Sequence, residues 1–364
     1  MKKKHVFIIA EAGVNHNGSV DLARELIDAA VNVKADAIKF QTFTADALVR
    51  RETPAADYQK KMVHTRASQY DLLKALELNE DAHKTIVECC AKRNIQFLST
   101  AFDIRSLDML VNTFGMSLIK IPSGEITNGP FLLKAGQTGK PIILSTGMST
   151  VREIKVALSV IAFGYTVRGV VPSERSFREA FVSKTGQAAL RRKVTLLHCT
   201  SEYPAPPDEI NLKAITTLSD IFGLPAGFSD HSAGIYAPMA AVALGATVIE
   251  KHFTLDRRLP GPDHMTSLEP GELREMVQGI REIERFLGNG KKVPTVSELK
   301  NRDLVRKSIV AREVIKKDDR LSPGNVTFKR PANGLSPMSY WRMLGKLAGK
   351  DYKADESIMG TGRK

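Results

Sequence analysis

Eight short apolar segments recur along this chain, and each ends in a cluster of polar residues. They are VFIIAEAG (6–13), AIKFQTF (37–43), IQFLSTAF (95–102), LIKIPSGE (118–125), PIILSTGM (141–148), VTLLHCTSEYP (194–204), AGFSDHS (226–232) and ATVIEKHFT (246–254). Amphipathic helical patterns separate most of them, as at 19–32, 81–93 and 271–287. Eight such units over roughly 285 residues match a (β/α)8 barrel, whose catalytic residues come from the C-terminal ends of the strands. The sequence therefore predicts an α/β TIM barrel with one site where the polar clusters meet.

The barrel pattern stops before the end of the chain, which predicts a catalytic domain over residues 1–287. The stretch 288–303 is rich in Gly, Pro and charged residues and is interpreted as a linker. Residues 304–364 contain short strand patterns separated by many turns. They predict a small β-rich C-terminal domain.

Two connections within the predicted barrel are longer than a helix and its loops require. Residues 44–80 follow the second strand on the face of the site, which favours a lid. Residues 164–193 precede the sixth strand and are interpreted as a surface insertion on the opposite face.

The composition restricts the classes of function. A chain of 364 residues that is 43% hydrophobic can bury a full core. Its net charge of +13 is scattered without a nucleic-acid-binding motif, which favours attraction of anionic metabolites over binding of nucleic acid. Three cysteines cannot build a disulfide framework, and the first apolar stretch is too short to span a bilayer. We expect a cytoplasmic protein with neither nucleic acid nor a membrane as its partner.

Two histidines lie at the ends of neighbouring predicted strands, His231 in FSDHS and His252 in IEKHFT. Imidazoles suit a divalent metal that keeps positions open for water and substrate. The carboxylates expected nearby are Glu11, Asp230, Glu250 and Asp263. A hydrogen-bonded histidine is the alternative for each residue alone, whereas the pair favours a metal site.

Two lysines, Lys39 and Lys120, end the second and fourth predicted strands. The hydroxyls at comparable positions are Thr100, Ser123, Ser145, Thr146 and Ser229. A buried lysine is costly unless an anion meets it, and hydroxyls add the donors that a phosphate needs. The pattern favours a phosphate pocket. Ion pairing with Glu11 and Glu125 is one alternative, and a Schiff-base pyruvate aldolase with either lysine as nucleophile is another.

Further polar side chains are expected to line the remaining wall of this site. They are Glu11, Gln41, Glu125, Tyr203 and Asp263. Such groups bind sugar hydroxyls or transfer protons. A structural hydrogen-bonding role is the alternative for each, and spacing alone assigns no roles.

A series of ordered motifs resembles the sialic acid synthase family over nearly the whole chain, apart from 164–193. The motifs are IIAEAGVNHNG, IKFQT, FLSTAFD, KIPSGEITN, IILSTGM, LLHCTSEYPAP, FSDHSAG, AVALGATVIEKHFTLD, PGPDH, SIVA and KRPANG. The resemblance implies a (β/α)8 barrel followed by an antifreeze-like (SAF) domain. It also implies a domain-swapped homodimer in which the small domain caps the partner's barrel.

The resemblance further implies an activity, the condensation of phosphoenolpyruvate with an N-acylated hexosamine. The products are a nine-carbon 2-keto acid and phosphate, which leaves by C–O cleavage. Residues 55–61, Phe40 and the segment KRPANGLSPMSY are more similar to the N,N'-diacetyllegionaminate synthase branch, which uses 2,4-diacetamido-6-deoxymannose. N-acetylneuraminate synthase, acting on N-acetylmannosamine, is the alternative. A non-enzymatic carbohydrate- or ice-binding protein would leave the residues at the strand ends unexplained.

The resemblance also implies roles for individual residues. His231 and His252 would hold Mn2+, with Mg2+ and Co2+ as alternatives, and Glu11 would position the sugar and transfer a proton. Phosphoenolpyruvate would be bound by Lys39, Thr100, Lys120, Ser123, Ser145 and Ser229. The sugar would be surrounded by Glu11, Gln41, Glu125, Tyr203 and Asp263, with Arg330 of the neighbouring subunit reaching its N-acyl group. Ser201 departs from the pattern, because some members have a phosphate-contacting Asn there.

Overall fold

Eight parallel strands close into a barrel in the computed structural model, which describes residues 5–54 and 68–360. The strands follow one another in chain order, and the last pairs with the first. They are β1 (Phe7–Gly13), β2 (Ala37–Thr42), β3 (Gln96–Ala101), β4 (Ile119–Ile121), β5 (Ile142–Ser145), β6 (Val194–His198), β7 (Ala226–Asp230) and β8 (Val248–His252). Each strand falls within one of the eight predicted segments, so the predicted α/β barrel is confirmed.

Helices connect the strands and form the outer layer of the barrel. They are α1 (Val20–Asn32), α2 (Ala45–Leu48), α3 (Gln69–Leu76), α4 (Glu80–Lys92), α5 (Ile104–Asp108), α6 (Gly129–Gln137), α7 (Val151–Thr166), α8 (Glu174–Val182), α9 (Lys184–Lys193), α10 (Lys213–Phe222), α11 (Tyr236–Ala243) and α12 (Pro270–Phe286). Across the described ranges, no helix combines the length and apolarity needed to cross a membrane.

The interior of the barrel is built in layers. A buried apolar cluster fills its floor, formed by Ile9, Ala37, Leu98, Ile143, Leu197 and Val248. Successive side chains of a strand point to opposite faces, so the residue two positions further along each strand also points inward. On five of these strands that residue is polar, namely Glu11, Lys39, Thr100, Ser145 and Glu250. The apolar floor therefore lies directly beneath a polar layer.

Strand β7 contributes a glycine to this floor. A Cβ at Gly227 would collide with the carbonyl oxygen of Val248 and lie 2.7 Å from Cδ2 of Leu197. Neither neighbour can withdraw easily, since one is backbone and the other belongs to the packed floor. The missing side chain lets β7 lie close to β8 two residues before Ser229 enters the polar layer.

The two long connections differ in position and structure. The connection after β2 contains α2 and α3, while its residues 55–67, including the AADYQKK stretch compared with the legionaminate branch, lie outside the described part of the chain. The 164–193 insertion forms α8 and α9. Phe177 of α8 packs edge-on against Phe163 of α7 with ring centroids 5.1 Å apart, so the insertion is a folded addition to the helical layer.

The chain divides into two compact units, Met1–Gly288 and Asn289–Lys364. The smaller unit contains α13 (Val296–Val305), α14 (Tyr340–Met343) and an antiparallel pair, β9 (Ser308–Ala311) and β10 (Val326–Lys329). Its core is formed by Ile309, Ala311, Ile315, Leu321, Val326, Met343, Ala348, Tyr352 and Ile358.

The stretch interpreted as a linker, 288–303, contains most of helix α13. The helix begins at a capping box, in which the Thr295 side chain accepts from the backbone N–H of Glu298 and the Glu298 carboxylate accepts from that of Thr295. The Thr-x-x-Glu spacing was the signal for this helix.

We expect Gly227→Ala to lower the free energy of unfolding by about 1–3 kcal/mol, because the added methyl overpacks the barrel floor. Chemical denaturation measures the change. Gly271→Ala is the matched control, since a Cβ at that helical position meets nothing within 4 Å. Equal stability of the two variants would contradict the close approach of β7 and β8.

Candidate active site

A cavity of about 420 Å3 lies where the strands end. Polar side chains from all eight strands or the loops after them meet in it. Those predicted from the sequence are Glu11, Lys39, Gln41, Thr100, Lys120, Ser123, Ser145, Ser201, Tyr203, Ser229, His231, His252 and Asp263. The structure therefore brings into one cavity most of the residues named as site candidates.

Four buried charged side chains form the bottom of this cavity, directly above the apolar floor of the barrel. Nζ of Lys39 lies 2.6 Å from Oε2 of Glu11 and 3.6 Å from Oε2 of Glu250. Nζ of Lys120 lies 3.2 Å from Oε1 of Glu250. None of the four residues is more than 4% exposed. We call Glu11, Lys39, Lys120 and Glu250 the ionic cluster.

Glu250 is the common partner of both lysines, although it is absent from the predicted substrate-binding residues. The pairing expected between Lys39 and Glu11 is present, but Lys120 pairs with Glu250 instead of Glu125. Glu125 lies in a 3-10 turn after β4, accepts a hydrogen bond from Nδ2 of Asn128 at 2.6 Å and does not line the cavity. The signal for Glu250 was its place two residues before His252, on the same face of β8.

The two carboxylates of the ionic cluster differ in their affinity for a proton. Burial raises the pKa of Glu11 to about 7, although Lys39 opposes the change. Burial also disfavours ionisation of Glu250, but the two lysines outweigh it and lower its pKa to about 2. Two carboxyls whose pKa values are pushed apart can take different roles. Glu250 stays ionised, while Glu11 exchanges a proton near neutral pH.

The two lysines also differ. Burial alone would lower the pKa of Lys39, but the carboxylates of Glu11 and Glu250 raise it above its usual value. Burial lowers the pKa of Lys120, only partly offset by Glu250. With Glu11 protonated, the ionic cluster has two cations against one anion and favours a bound anion.

Hydroxyl groups surround the ionic cluster. Thr100 accepts a hydrogen bond from Lys39 at 2.7 Å, and Ser229 donates one to Glu250 at 2.8 Å. Oγ of Ser145 is buried and has no hydrogen-bond partner among the described residues. A buried hydroxyl without a partner is costly unless a ligand meets it, so Ser145 points to a bound oxyanion.

The two predicted metal-binding histidines lie side by side, with ring centroids 5.7 Å apart. Nδ1–H of His231 donates to the carbonyl oxygen of Thr200 at 2.6 Å, which leaves the lone pair on Nε2, 3.2 Å from the Tyr203 hydroxyl. Burial lowers the pKa of His231 to about 4 and that of His252 well below its usual value. Both imidazoles are neutral at pH 7, the form that binds a metal.

The donor set fits a divalent ion with open coordination positions. Nδ1 of His252 is buried and has no hydrogen-bond partner in the described part of the chain. Within the same residues, no group of three or more His, Cys, Asp or Glu side chains is arranged to hold a metal. The protein therefore offers two imidazoles, and further ligands would have to be water or substrate.

The carboxylates expected beside the histidines occupy different places. Oδ2 of Asp263 lies 3.8 Å from Nδ1 of His252, and burial raises the pKa of Asp263 to about 6. Asp230 does not line the cavity and pairs with Lys251 at 2.6 Å. It follows Ser229 directly and so points to the opposite face of β7.

An apolar wall lines the cavity on the side of the connection after β2. It is formed by Leu48, Val49, Leu72, Leu73 and Leu76. These residues lie in or beside α2 and α3, so the described part of the 44–80 connection does border the site, as its interpretation as a lid requires. We call these five residues the apolar wall.

Two buried or half-buried aromatic residues of the barrel, Phe40 and His198, do not line the cavity. Phe40 is fully buried beside Phe97, with ring centroids 6.2 Å apart, and can mark a branch of a family without touching a ligand. Nε2–H of His198 donates to the carbonyl oxygen of Ile210 at 2.6 Å. Arg330 is exposed in the smaller unit.

Comparisons with known proteins agree on one family. Residues 26–292 match the model of the NeuB family. The chain is 49% identical to an N,N'-diacetyllegionaminic acid synthase of Campylobacter jejuni subsp. jejuni serotype O:2, covering 98% of this chain and 99% of the other. It is 43% identical to a protein of the same name from Legionella pneumophila subsp. pneumophila, covering 97% and 93%.

A solved structure of a related synthetase is also similar to this chain. The N-acetylneuraminic acid (sialic acid) synthetase of Leptospira borgpetersenii serovar Hardjo-bovis is 36% identical, with a TM-score of 0.66. The match covers 82% of this chain and 90% of the other. The similarity therefore extends from sequence to fold.

We expect the affinity for sulfate to fall on the order of tenfold between about pH 6 and about pH 8. Sulfate keeps its charge over this range, whereas Glu11, with a pKa of about 7, becomes an anion and removes the excess positive charge of the ionic cluster. Calorimetric titration measures the affinity. Glu11→Gln should bind sulfate equally at both pH values, and an affinity of the unaltered protein that stays constant or rises with pH would contradict this assignment.

Proposed function

The chain belongs to the NeuB family, and from that membership we propose that it is an N,N'-diacetyllegionaminate synthase. It condenses phosphoenolpyruvate with 2,4-diacetamido-6-deoxymannose and releases phosphate and a nine-carbon 2-keto acid. The observation that carries this proposal is the ionic cluster beneath two neutral imidazoles in one cavity. Such a site suits an anionic enol phosphate beside a polarised carbonyl.

The ionic cluster would bind phosphoenolpyruvate. Lys39 and Lys120 supply positive charge, and Ser145 supplies a buried hydroxyl with unused hydrogen-bonding capacity. The remaining hydroxyls assigned to this ligand are Thr100, Ser123, Ser201 and Ser229. In the low dielectric of the cavity these donors also stabilise the charge of the departing phosphate.

The reaction forms one carbon–carbon bond and breaks one carbon–oxygen bond. C3 of phosphoenolpyruvate attacks the aldehyde carbon of the open-chain sugar, which leaves positive character at C2. Glu11 holds a proton near neutral pH and is our choice for the residue that orients the sugar and donates this proton to the aldehyde oxygen as the bond forms. Water adds to C2 and returns a proton to Glu11. The new hydroxyl then passes its proton to the departing phosphate as the C–O bond breaks beside Lys39 and Lys120, which leaves the 2-keto group.

His231 and His252 would hold the metal, which we propose is Mn2+, with Mg2+ and Co2+ as alternatives. A bound divalent ion supplies Lewis-acid polarisation of the aldehyde oxygen. The carbonyl oxygen of Thr200 orients the His231 ring through Nδ1–H, which leaves the lone pair of Nε2 for the metal.

The sugar would lie above the ionic cluster, against Gln41, Tyr203 and Asp263. Glu125 is left out of this set, because it lies outside the lining of the cavity. The apolar wall favours the 6-deoxy sugar, since a methyl group loses nothing on leaving water for a leucine surface, whereas a hydroxyl there lacks a partner.

The smaller unit belongs to the same proposal. We assign it to the antifreeze-like type and place Arg330 of a neighbouring subunit near the N-acyl group, which requires a domain-swapped homodimer. Two observations support this assignment. The unit has a hydrophobic core of its own, and Arg330 is exposed on it, so the guanidinium can contact another chain. The expected location is the cytoplasm.

We expect phosphate release from phosphoenolpyruvate and Mn2+ to be faster with 2,4-diacetamido-6-deoxymannose than with N-acetylmannosamine. One misplaced polar group on an apolar pocket costs about 1–3 kcal/mol, so kcat/KM should differ by roughly 10- to 100-fold. A preference for N-acetylmannosamine would assign the chain to N-acetylneuraminate synthesis. Release with neither sugar would contradict the proposed function.

The same assay tests the apolar wall. Leu72→Asn keeps the size of the side chain and offers hydrogen bonds, so it should narrow the preference between the two sugars. Ile221→Asn, an exposed residue of α10, is the control. The ratio of kcat/KM values is insensitive to a general loss of folded enzyme, which affects both sugars equally.

We expect His231→Ala to lose Mn2+ affinity and turnover together. Each should fall by more than roughly 100-fold, because substitution of a residue that only supports a metal ligand already costs roughly 10- to 100-fold. Calorimetric titration with Mn2+ and phosphate release measure the two effects. His198→Ala is the matched control, because this histidine lies outside the cavity. Full activity of the unaltered enzyme in excess chelator would contradict the metal role.

A further inference from the structure

A buried ion pair lies directly behind the two histidines, on the opposite face of their strands. Nζ of Lys251 lies 2.6 Å from Oδ2 of Asp230, and the two side chains are 1% and 0% exposed. The same ammonium donates to the carbonyl oxygen of Ser232. We call Lys251, Asp230 and Ser232 the clamp.

The clamp connects the strands that carry His231 and His252. Asp230 directly precedes His231, Lys251 directly precedes His252, and the two are register partners in the β7–β8 ladder. Oδ1 of Asp230 also accepts the backbone N–H of Ser232 at 2.8 Å. One carboxylate therefore closes the turn around His231, and an ammonium from β8 binds both sides of that turn.

The other bonds to this turn come from a different neighbour. Nδ1–H of His231 donates to the carbonyl of Thr200, and the His231 carbonyl accepts from the N–H of Ala205 at 2.9 Å. Both partners belong to the loop after β6. The ladder between β7 and β8 ends at Asp230 and Lys251. Beyond that point, the hydrogen bond from Lys251 to the carbonyl oxygen of Ser232 ties the turn of His231 to the strand of His252.

A charged pair at this position has a geometric consequence. Two apolar side chains would fill the same space without a preferred direction, whereas an ammonium with two oxygen partners fixes distances and angles. Because neither charge reaches water, breaking one contact leaves the other group unpaired and is strongly unfavourable. The clamp is therefore rigid.

We propose that the clamp sets the separation of His231 and His252 for a divalent cation, so that Lys251 and Asp230 are positioning residues. The inference rests on the metal role of the histidines proposed above. Neither residue lines the cavity, and both act through the histidines that follow them. Loss of the clamp should weaken metal binding while leaving the site of phosphoenolpyruvate intact.

The test is the double substitution Asp230→Asn with Lys251→Met. Removing both charges avoids the unpaired buried carboxylate that Lys251→Met alone would leave. An asparagine at 230 still accepts from the N–H of Ser232, so the turn is kept and only the tie to β8 is lost. Circular dichroism and thermal melting establish that the variant is folded.

We expect the Mn2+ dissociation constant of the double variant to rise roughly 10- to 100-fold in calorimetric titration. The KM for Mn2+ should rise with it, kcat at saturating Mn2+ should largely recover, and the KM for phosphoenolpyruvate should change by less than about twofold, because Lys39 and Lys120 are untouched. Lys193→Met is the matched control. It removes a lysine that donates to the carbonyl of Gly139 at 2.7 Å, before β6 at the other end of the barrel.

A folded double variant with unchanged Mn2+ affinity would overturn the inference, as would an equal loss of affinity in Lys193→Met. If the unaltered protein binds no Mn2+, the metal assignment fails and this inference falls with it. If it binds Mn2+ but releases no phosphate with either sugar, the proposed function fails, while the binding comparison still decides the role of the clamp.

Discussion

The site depends on Glu250, the carboxylate that two buried lysines share. Two ammonium groups could not remain charged inside the barrel without an anion, since burial of an unpaired charge is very costly. Glu250 provides that anion, and the lysines in turn keep it ionised. With one carboxylate against two cations, the net charge of the cluster is positive and favours a negatively charged ligand. The protonation of Glu11 changes this net charge near neutral pH, because its pKa is about 7.

The alternation of side chains along a strand explains why these groups meet. The residues of the apolar floor precede the polar layer by two positions on five strands, so closing the barrel over the floor also assembles the ionic cluster. The register supports the same arrangement, because Glu11 lies opposite both Lys39 on β2 and His252 on β8. Folding of the barrel and assembly of the site are thus consequences of one pattern.

Much of this pattern could be predicted from the chain alone, because eight apolar segments with polar ends specify a closed parallel barrel. The partner of Lys120 could not, since Glu125 is near it in sequence whereas Glu250 meets it only after β8 closes the barrel. The expected place of Asp230 beside the metal is wrong. Asp230 directly follows the inward-facing Ser229 and therefore points away from the cavity, where it pairs with Lys251. Helix α13 was missed because Gly and Pro around it resemble a linker, although its capping box was readable.

The two faces of β7 and β8 carry residues with different roles, one set lining the cavity and the other forming the clamp. Ser229 on β7 and His231 just after it face the cavity, as do Glu250 and His252 on β8. Asp230 and Lys251, which lie between them, point to the opposite face. A substitution in either strand that shifted its register by one residue would exchange these sets and place the clamp in the cavity. Gly227 opposes such a shift, because only a glycine fits against Val248 at the floor. The floor, the ionic cluster and the clamp therefore depend on the same register of two strands.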